Sequence, residues 1–349
     1  MRKIFLLTGL LVCLFMSQTQ AQDQSVKNMQ TTSQKTIADD TAHKSGWKKG
    51  GIFSLTFGQG SSSNWAAGAE KFSLSLATYL SLYAHYKHGR FTWMNTLDLG
   101  YAVVSTTSLG VRKTDDKIDF YSKLGHELSR TFSVAGVVNF RSQFYNGYDY
   151  DYLGKYQRKT SSFMAPGYLI VAPGFDWHPV DYFSIFLSPI SGRFVFVTSD
   201  PWYYYFPGGV IPPADGGGFE APLAVNYGVD PARKVRIELG GFASVNFNKE
   251  IIKNVIYKTR LDLYSNYLKT KRYTPIGAFQ LAETTIKAKP QNVDVYWTNL
   301  IAMKISKYLS VTYSLDLIYD DDVRQFGPNE DAARTQLRSL LSVGLSAKF

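Results

Sequence analysis

The sequence predicts an all-β fold, a transmembrane antiparallel up-and-down β-barrel of about twelve strands. Residues 336–349 alternate apolar and polar side chains as far as the terminal Phe349, which is typical of a strand with one apolar and one polar face. Similar alternation recurs along the chain. No stretch reaches the roughly 18 consecutive apolar residues of a membrane helix. Barrel strands are expected to give that result, because half of each strand is polar.

The N-terminus predicts export. Residues 1–21 combine a basic start at Arg2 and Lys3 with a short apolar run and a small residue, Ala21, at the cleavage position, as in a secretory signal peptide. A lipoprotein signal using Cys13 is the alternative, but the apolar run continues past that cysteine. Cleavage at Ala21 removes the one cysteine of the chain, so we expect neither disulfides nor thiolate-bound metal.

The mature chain divides into a short tail and a barrel. Residues 22–46 are polar and carry few large apolar side chains, which predicts a periplasmic linker, with a short plug inside the barrel as the alternative. Residues 47–349 form the predicted barrel. The net charge of +10 includes Arg2 and Lys3. Because an exported protein does not meet nucleic acid, we expect the anionic outer-membrane surface to be the counter-charge.

Twelve alternating segments follow in order. Lys87–Arg90 is read as a tight turn, and a kink is predicted at Pro189–Gly192 in the seventh segment. The predicted strands cover residues 52–59, 71–86, 91–104, 117–128, 132–144, 162–177, 183–197, 234–247, 251–268, 293–306, 309–319 and 336–349.

High aromatic content, 15% of residues, suits rings of aromatic side chains at membrane interfaces.

Loop lengths support the strand count, because outer-membrane barrels have short periplasmic turns, long outer loops and an even number of strands. Residues 221–229 are weakly strand-like, but counting them would give an odd number, so we assign them to a loop. Fourteen strands is the alternative count. The predicted short turns are 87–90, 129–131, 178–181, 248–250 and 306–308, and the predicted long loops are 60–68, 105–116, 145–160, 198–233, 269–292 and 320–334.

A soluble all-β protein is the competing interpretation. A sandwich or a lipocalin-like barrel would have shorter strands with their apolar residues facing inward. Twelve amphipathic segments in an exported chain without cysteines favour the membrane barrel.

Four motifs of the sequence resemble one family: Asn64–Gly68 with the strand after it, Trp93–Tyr101, Lys113–Lys117 and Phe186–Arg193. The family is a group of Bacteroidetes outer-membrane proteins catalogued only as a domain of unknown function. The resemblance spans roughly residues 46–349 and implies a barrel in the outer membrane, but no activity and no catalytic residue.

Two of these motifs also have local interpretations. The two aspartates of Lys113–Lys117 could bind calcium in an outer loop, although a salt-bridged loop is the commoner use of such residues. Asn64–Gly68 contains small residues that allow close packing, with Trp65 as an interfacial anchor.

No enzyme is predicted. The five histidines lie in the linker (His43) or near predicted periplasmic turns, so a nucleophile at the outer end of a strand would lack a base. The other four are His85, His88, His126 and His178. No motif for a serine hydrolase, a zinc protease or a nucleotide-binding loop is present, and we expect no cofactor.

The predicted inner face carries seven basic and seven acidic residues. Balanced charges predict an interior that pairs its own ions rather than an ion filter, which shows one sign in excess. Twelve strands are also fewer than those of open porins. A narrow path for small solutes stays open as an alternative. The residues are Lys123, Arg141, Arg236, Lys258, Arg260, Lys304, Arg338, Asp98, Asp119, Glu127, Glu238, Asp262, Asp294 and Asp316.

An aromatic run in the longest loop, Trp202-Tyr203-Tyr204-Tyr205-Phe206, is the predicted partner-contact site, because exposed Trp and Tyr are common interface anchors. The alternative is a cap folded over the mouth of the barrel. We therefore expect a structural or accessory barrel of an outer-membrane complex, or else a narrow passive channel or transporter for small solutes. An outer-membrane hydrolase is the least favoured function. The expected partners are outer-membrane lipid, lipopolysaccharide and other outer-membrane proteins, without nucleic acid.

Overall fold

The computed structural model describes residues 45–62, 71–180, 182–304, 309–320 and 333–345. The predicted signal peptide at 1–21 lies outside these residues, as do almost all of the predicted linker, the Asn64–Gly68 motif and Phe349. Across the described residues, no helix has the length and hydropathy that a membrane span requires.

Sixteen strands make up the described fold. Twelve belong to one sheet, and the remaining four form two small hairpins. Their bounds are β1 Gly46–Ser61, β2 Phe72–His88, β3 Phe91–Thr106, β4 Gly110–Glu127, β5 Phe132–Ser142, β6 Gly147–Tyr152, β7 Tyr156–Ser161, β8 Gly167–Val180, β9 Phe183–Phe196, β10 Val235–Ile252, β11 Val255–Asn266, β12 Thr270–Gly277, β13 Gln280–Ile286, β14 Val293–Lys304, β15 Leu309–Tyr319 and β16 Gln336–Leu345.

The large sheet has twelve antiparallel strands, each beside its neighbour in the chain once the two hairpins are set aside. This up-and-down order confirms the predicted all-β class and the strand count. The weakly strand-like segment 221–229 stays within its loop, where Val225–Tyr227 forms a 3-10 turn.

Side-chain alternation explains why these segments form strands with two different faces. On β8, Val171, Phe175 and Trp177 are 40%, 46% and 44% exposed. Ala172, Gly174 and Asp176, which alternate with the outward positions, are buried, and Ala172 has no exposed surface. On this strand, large apolar side chains therefore face outward and small or polar ones face inward. A soluble sheet reverses this arrangement, and a transmembrane barrel requires it.

The sheet is rolled around an interior. Arg141 on β5 lies over the ring of Tyr296 on β14, 5.6 Å from its centre. These strands are five positions apart in the sheet order, which in a flat sheet would separate them by about 24 Å. Contact between them requires the sheet to curve into a barrel.

A bulge in β9 changes which side chains face inward. Ser188 pairs with Phe242 and Ser191 pairs with Gly240, so Pro189 and Ile190 together oppose one residue of β10. An extra residue in one strand reverses the alternation beyond it. Phe186 faces inward before the bulge, and Arg193 faces inward after it. The predicted kink is confirmed, and its effect on Arg193 is new.

Four segment boundaries differ from the predictions. Residues 105–116 are not a long loop, because β3 and β4 pair through Thr106 and Gly110. The predicted turn at 248–250 lies within β10, and the chain turns at 253–254, where Asn254 has φ 65°. The predicted loops 145–160 and 269–292 contain the hairpins β6–β7 and β12–β13. Main-chain pairing overrides the charged and polar composition that predicted loops.

Aromatic side chains mark the end of the barrel at the short turns. Trp47 lies 5.1 Å from Tyr86 and 5.8 Å from Trp93 between ring centres. Further round this end, Trp177 packs edge-on against Phe183. Such a ring is typical of the level at which a barrel leaves the hydrocarbon layer.

Candidate functional site

The interior of the barrel contains an apolar cluster. Its buried residues are contributed by the consecutive sheet strands β5, β8, β9, β10 and β11, and Tyr121 of β4 packs against it with Ile170. The rings of Phe186 and Phe242 lie 6.1 Å apart. Together these side chains fill one side of the interior, and we call them the apolar cluster: Ala135, Val137, Ala172, Phe186, Phe242 and Tyr264.

Ion pairs surround the apolar cluster, and the first of them is built on Asp119. Its carboxylate lies 3.3 Å from Lys117 Nζ and 3.3 Å from Arg141 Nε. Asn139 Nδ2 donates a hydrogen bond to it over 2.7 Å. The register places Asp98 directly opposite Asp119 on the neighbouring strand. Two cations and two carboxylates thus balance here.

Two further pairs repeat this pattern. Lys123 Nζ donates to Asp176 over 2.6 Å, bridging β4 and β8 across β5. Arg260 Nε donates to Asp262 over 2.8 Å, and Ser244 Oγ donates to the same carboxylate over 2.6 Å. Each charge has an opposite charge within reach, which lowers the cost of keeping it away from water.

The largest network is centred on Arg193. Its guanidinium binds Glu238, lies 3.0 Å from Asp294 and 3.7 Å from Asp320, and stacks 4.3 Å from the centre of the Tyr264 ring. These partners come from β10, β14, the end of β15 and β11. Arg193 therefore ties together strands that are not neighbours in the sheet.

The side chains of ten of the fourteen predicted inner charges are described. Nine of them lie in or beside these networks: Asp98, Asp119, Lys123, Arg141, Arg236, Glu238, Arg260, Asp262 and Asp294. Arg236 is 3.0 Å from Glu238. Glu127 instead pairs with Lys87 near the short turns, 3.2 Å apart. The side chains of Lys258, Lys304, Asp316 and Arg338 lie outside the description, although the register sets Asp316 opposite Arg338.

Four charged members of the networks are not among the residues predicted from the sequence. One of them, Asp320, falls in the predicted loop 320–334. Asp176 lies between the outward Phe175 and Trp177, so alternation alone would have found it. Lys117 lies at the start of a predicted strand, beside a predicted loop. Arg193 has the parity of outward residues in its strand and becomes inward only through the bulge. No pattern in the sequence locates such a bulge to the residue.

A cap formed by residues 197–234 covers the long-loop end. Leu223, Ala224 and Val229 are fully buried against Val195, an inward residue of β9. Gly228 turns with φ 66°, and a side chain there would lie 2.8 Å from Arg236 Nη1. The cap therefore rests directly on the Arg193 network.

Glu220 holds the aromatic run in place. This residue is 3% exposed. Its carboxylate accepts hydrogen bonds from the backbone N–H groups of Tyr205 and Phe206, both over 3.0 Å. Arg158 of β7 approaches it to 2.7 Å. One buried carboxylate thus joins the cap to the β6–β7 hairpin.

The hairpin β6–β7 makes a second attachment to the cap through Asp215. Tyr156 donates to this carboxylate over 3.0 Å, and Lys155 forms an ion pair with it. The hydrogen bond from Lys155 lowers the pKa of Asp215 below its ordinary value. Elsewhere in this region Tyr227 donates to the carbonyl of Thr160 over 2.7 Å, and burial raises the pKa of Tyr227.

The predicted partner-contact residues mostly contact this protein itself. Tyr205 and Phe206 pack on Tyr156, with ring centres 5.1 Å and 5.5 Å away. Tyr203 packs against the buried part of the cap. Tyr204 and Trp202 lie edge-on to Phe279 of the β12–β13 hairpin, at 5.4 Å and 6.3 Å. Trp202 keeps 36% of its surface exposed. These contacts match the alternative interpretation, a cap over the mouth.

The described residues contain no group of three or more His, Cys, Asp or Glu that could hold a metal ion. The aspartates of Lys113–Lys117 have local partners: Asp116 lies 2.9 Å from Lys113 and accepts the backbone N–H groups of Phe144 and Tyr145, both over 2.7 Å. This is the salt-bridged arrangement that we considered beside a calcium site.

The described histidines lie toward the short-turn end. His85 is buried with its ring 5.2 Å from Tyr83, His88 lies beside the turn at Gly89, and His126 is exposed near the end of β4. His178 Nδ1 is 3.8 Å from Asp176, which Lys123 already binds. This placement follows the sequence-based expectation.

One known protein family matches part of the chain. Residues 57–148 match the family described as "Protein of unknown function (DUF3078)", which confirms the expected match to a family of unknown function. Three of the four motifs lie in that range, and Phe186–Arg193 lies beyond it. No curated protein matches the chain.

Two solved structures are similar at low identity. One is the translocator domain of the autotransporter NalP from Neisseria meningitidis, with 9% identity and a TM-score of 0.38, covering 93% of this chain and 96% of that one. The other is the TodX monoaromatic hydrocarbon channel, a deltaS2 mutant, with 7% identity and a TM-score of 0.36, covering 86% and 80%.

Proposed function

We propose that this protein is an outer-membrane β-barrel with an occluded interior, which serves as a structural or accessory barrel of an outer-membrane complex. The apolar outer face and the aromatic ring at the short-turn end support a membrane location. The export signal predicted at residues 1–21 supports the outer membrane, where exported barrels reside. Its partners in this proposal are outer-membrane lipid, lipopolysaccharide and other outer-membrane proteins. We propose no enzymatic activity.

The observation that carries this proposal is the filling of the interior. Phe186, Phe242 and Tyr264 pack in one cluster with Tyr121, which projects from β4 beyond β5. Buried ion pairs lie on the short-turn side and on the long-loop side of this cluster. The cap then covers the long-loop end. A solute path would have to break ion pairs that are shielded from water, and separating a buried pair costs several kcal/mol, roughly 3–5.

Conductance across a planar bilayer tests this proposal. The full-length protein, purified in mild detergent and reconstituted, is expected to give no steady single-channel current. A cold versus boiled detergent gel of the outer-membrane fraction is run first, since a mobility shift on boiling shows that the barrel is folded and located there. Steady conductance from folded protein would contradict the occluded interior, and soluble periplasmic protein without a shift would contradict the barrel.

A narrow passive channel is the second candidate. The inner faces of β2 and β3 include the small buried residues Ala77 and Ala102, which pair with each other. The wall opposite the apolar cluster intrudes little into the interior at this level, although His85 lies on the same face. A path there would be narrow and of mixed charge, since both signs face inward. The same recording separates the two functions, because the channel predicts small but steady current steps.

A further inference from the structure

The hairpin β12–β13 carries an excess of positive charge that the proposed function does not use. Residues 269–289 contain five basic residues and one acidic residue. The acidic residue, Glu283, pairs with Lys271. The other four basic residues are exposed. We call them the hairpin base: Lys269, Arg272, Lys287 and Lys289.

Apolar surface adjoins this charge. Tyr267 and Leu268, which lead into the hairpin, are 44% and 41% exposed. The N–H of Tyr267 donates to the carbonyl of Leu239 over 2.8 Å, which sets the hairpin base level with the upper part of β10. Leu239 and Ile237 expose 42% and 59% of their surface there. The positive charge thus begins where the outward apolar band of β10 ends.

A small pocket lies in the same place. Its volume is about 40 Å³, and its lining combines Lys287 and Lys289 with polar side chains and with the apolar side chains of Leu268 and Ile286. The polar side chains are Asn266, Thr270, Asn292 and Asp294, and the carboxylate of Asp294 is already paired with Arg193, 3.0 Å away. Ammonium and amide groups donate hydrogen bonds to phosphate oxygens. Apolar side chains beside them suit the first carbons of an acyl chain.

We infer that the hairpin base binds the phosphate groups of an outer-leaflet lipid. This inference rests on the proposed function, because it requires the long-loop end to face outward from the outer membrane. Anionic lipid attracts each nearby Lys or Arg at a membrane surface, and four such residues stand within one short hairpin. The lipid phosphates lie over the charge while the chains extend down the apolar wall of β10.

Lipid retention by the full-length protein in mild neutral detergent tests the inference. The probes are diphosphoryl lipid A and the same lipid without its phosphates, and native mass spectrometry measures the lipid bound to each protein. The test variant changes Lys269, Arg272, Lys287 and Lys289 to Gln. Its matched control makes the same change at four exposed basic residues near the short turns, Arg90, Arg130, Lys249 and Lys253.

We expect the wild type and the control to retain the phosphorylated lipid at least about tenfold better than the test variant does. Equal retention of the two lipids by the wild type, or an equal loss in the control, would overturn the inference. Displacement by millimolar inorganic phosphate would also overturn it, in favour of a site for free anions. Each variant is also run cold and boiled, so that failure of the barrel itself is recognised separately.

Discussion

At the scale of single residues, Arg193 shows what a buried cation does in this interior. It neutralises carboxylates from three other parts of the sheet, and its side chain is only 10% exposed. Its removal would leave Glu238 and Asp294 close together and away from water, with Arg236 alone near them. Like charges in a poorly solvated site repel strongly. Arg193 therefore holds β9 to β14 across the interior.

Replacing Arg193 with Met is expected to lower the free energy of unfolding by about 3–5 kcal/mol, because it leaves buried carboxylates without their partner. Arg193→Lys should cost less, since it keeps the charge. Denaturant unfolding in detergent, followed by the gel-mobility shift, measures both. Arg233→Met is the control, because Arg233 is 69% exposed and 3.6 Å from Asp230, where a pair contributes about 0–1 kcal/mol. Equal effects of the two Met variants would contradict the role of Arg193.

Asp215 gives the cap a dependence on pH. The hydrogen bond from Lys155 lowers the pKa of this carboxyl in the folded state. The ionised Asp215 therefore stabilises the attachment of the cap to the β6–β7 hairpin above the ordinary Asp pKa. This stabilisation is lost as the pH falls through the lower, folded-state pKa. We expect an acid protease such as pepsin to cut the cap faster as the pH falls below about 4, the ordinary Asp value, when the rate at each pH is divided by the rate on an unfolded substrate, which corrects for the protease's own pH dependence. Asp215→Asn should be cut at a rate that shows no such step. A step of equal size in that variant would exclude Asp215 as the cause.

At the scale of elements, polar groups join the cap to the β6–β7 hairpin, and the Glu220 carboxylate, whose side chain is fully buried, is the central one. It fixes the backbone of the aromatic run and binds Arg158 of β7. Two elements that are far apart in the chain thus depend on one carboxylate. Loops held in this way open locally, without unfolding of the whole protein, when the attachment is lost.

Glu220→Gln is expected to open the cap, because the amide leaves Arg158 buried without its opposite charge. Limited proteolysis at neutral pH should cut within residues 198–234 at least about tenfold faster than in wild type. Glu283→Gln is the control, since Glu283 pairs with Lys271 at an exposed site. The mobility shift on boiling should be kept in both variants. Unchanged cleavage of Glu220→Gln would show that the apolar contacts of Leu223 and Val229 suffice to hold the cap.

The elements also show what the sequence could and could not predict. Alternation predicts all twelve sheet strands, because the direction in which a side chain faces depends only on its position along its own strand. Val171, Phe175 and Trp177 show this, since all three share one parity and face outward. The sequence predicts the bulge at Pro189 and Ile190 only as a kink, because its effect on Arg193 depends on pairing with β10. The hairpins within the long loops were missed, since Tyr156 and Phe279 are ordered by contact with the cap and not by their own periodicity.

At the scale of the whole molecule, the charge balance and the apolar cluster act together. The cations of the Asp119, Asp176 and Asp262 pairs face carboxylates in nearly equal number, so no excess charge is left to draw ions inward. The apolar cluster fills the side of the interior between these pairs. Occlusion is thus a property of the entire barrel, and no single residue accounts for it.

Opening the interior requires removing bulk without breaking the barrel. Changing Phe186 and Phe242 together to Ala should give steady single-channel current where wild type gives none, because both rings lie within the apolar cluster. The control changes Phe175 and Leu187 to Ala, which are 46% and 53% exposed on the outer face. That variant loses apolar bulk to the lipid side and should stay closed. Both variants must first show the mobility shift on boiling, since Phe→Ala in a packed cluster costs about 3–5 kcal/mol. If the folded double variant at Phe186 and Phe242 conducts no better than the control, the cap and the ion pairs are sufficient to close the barrel by themselves.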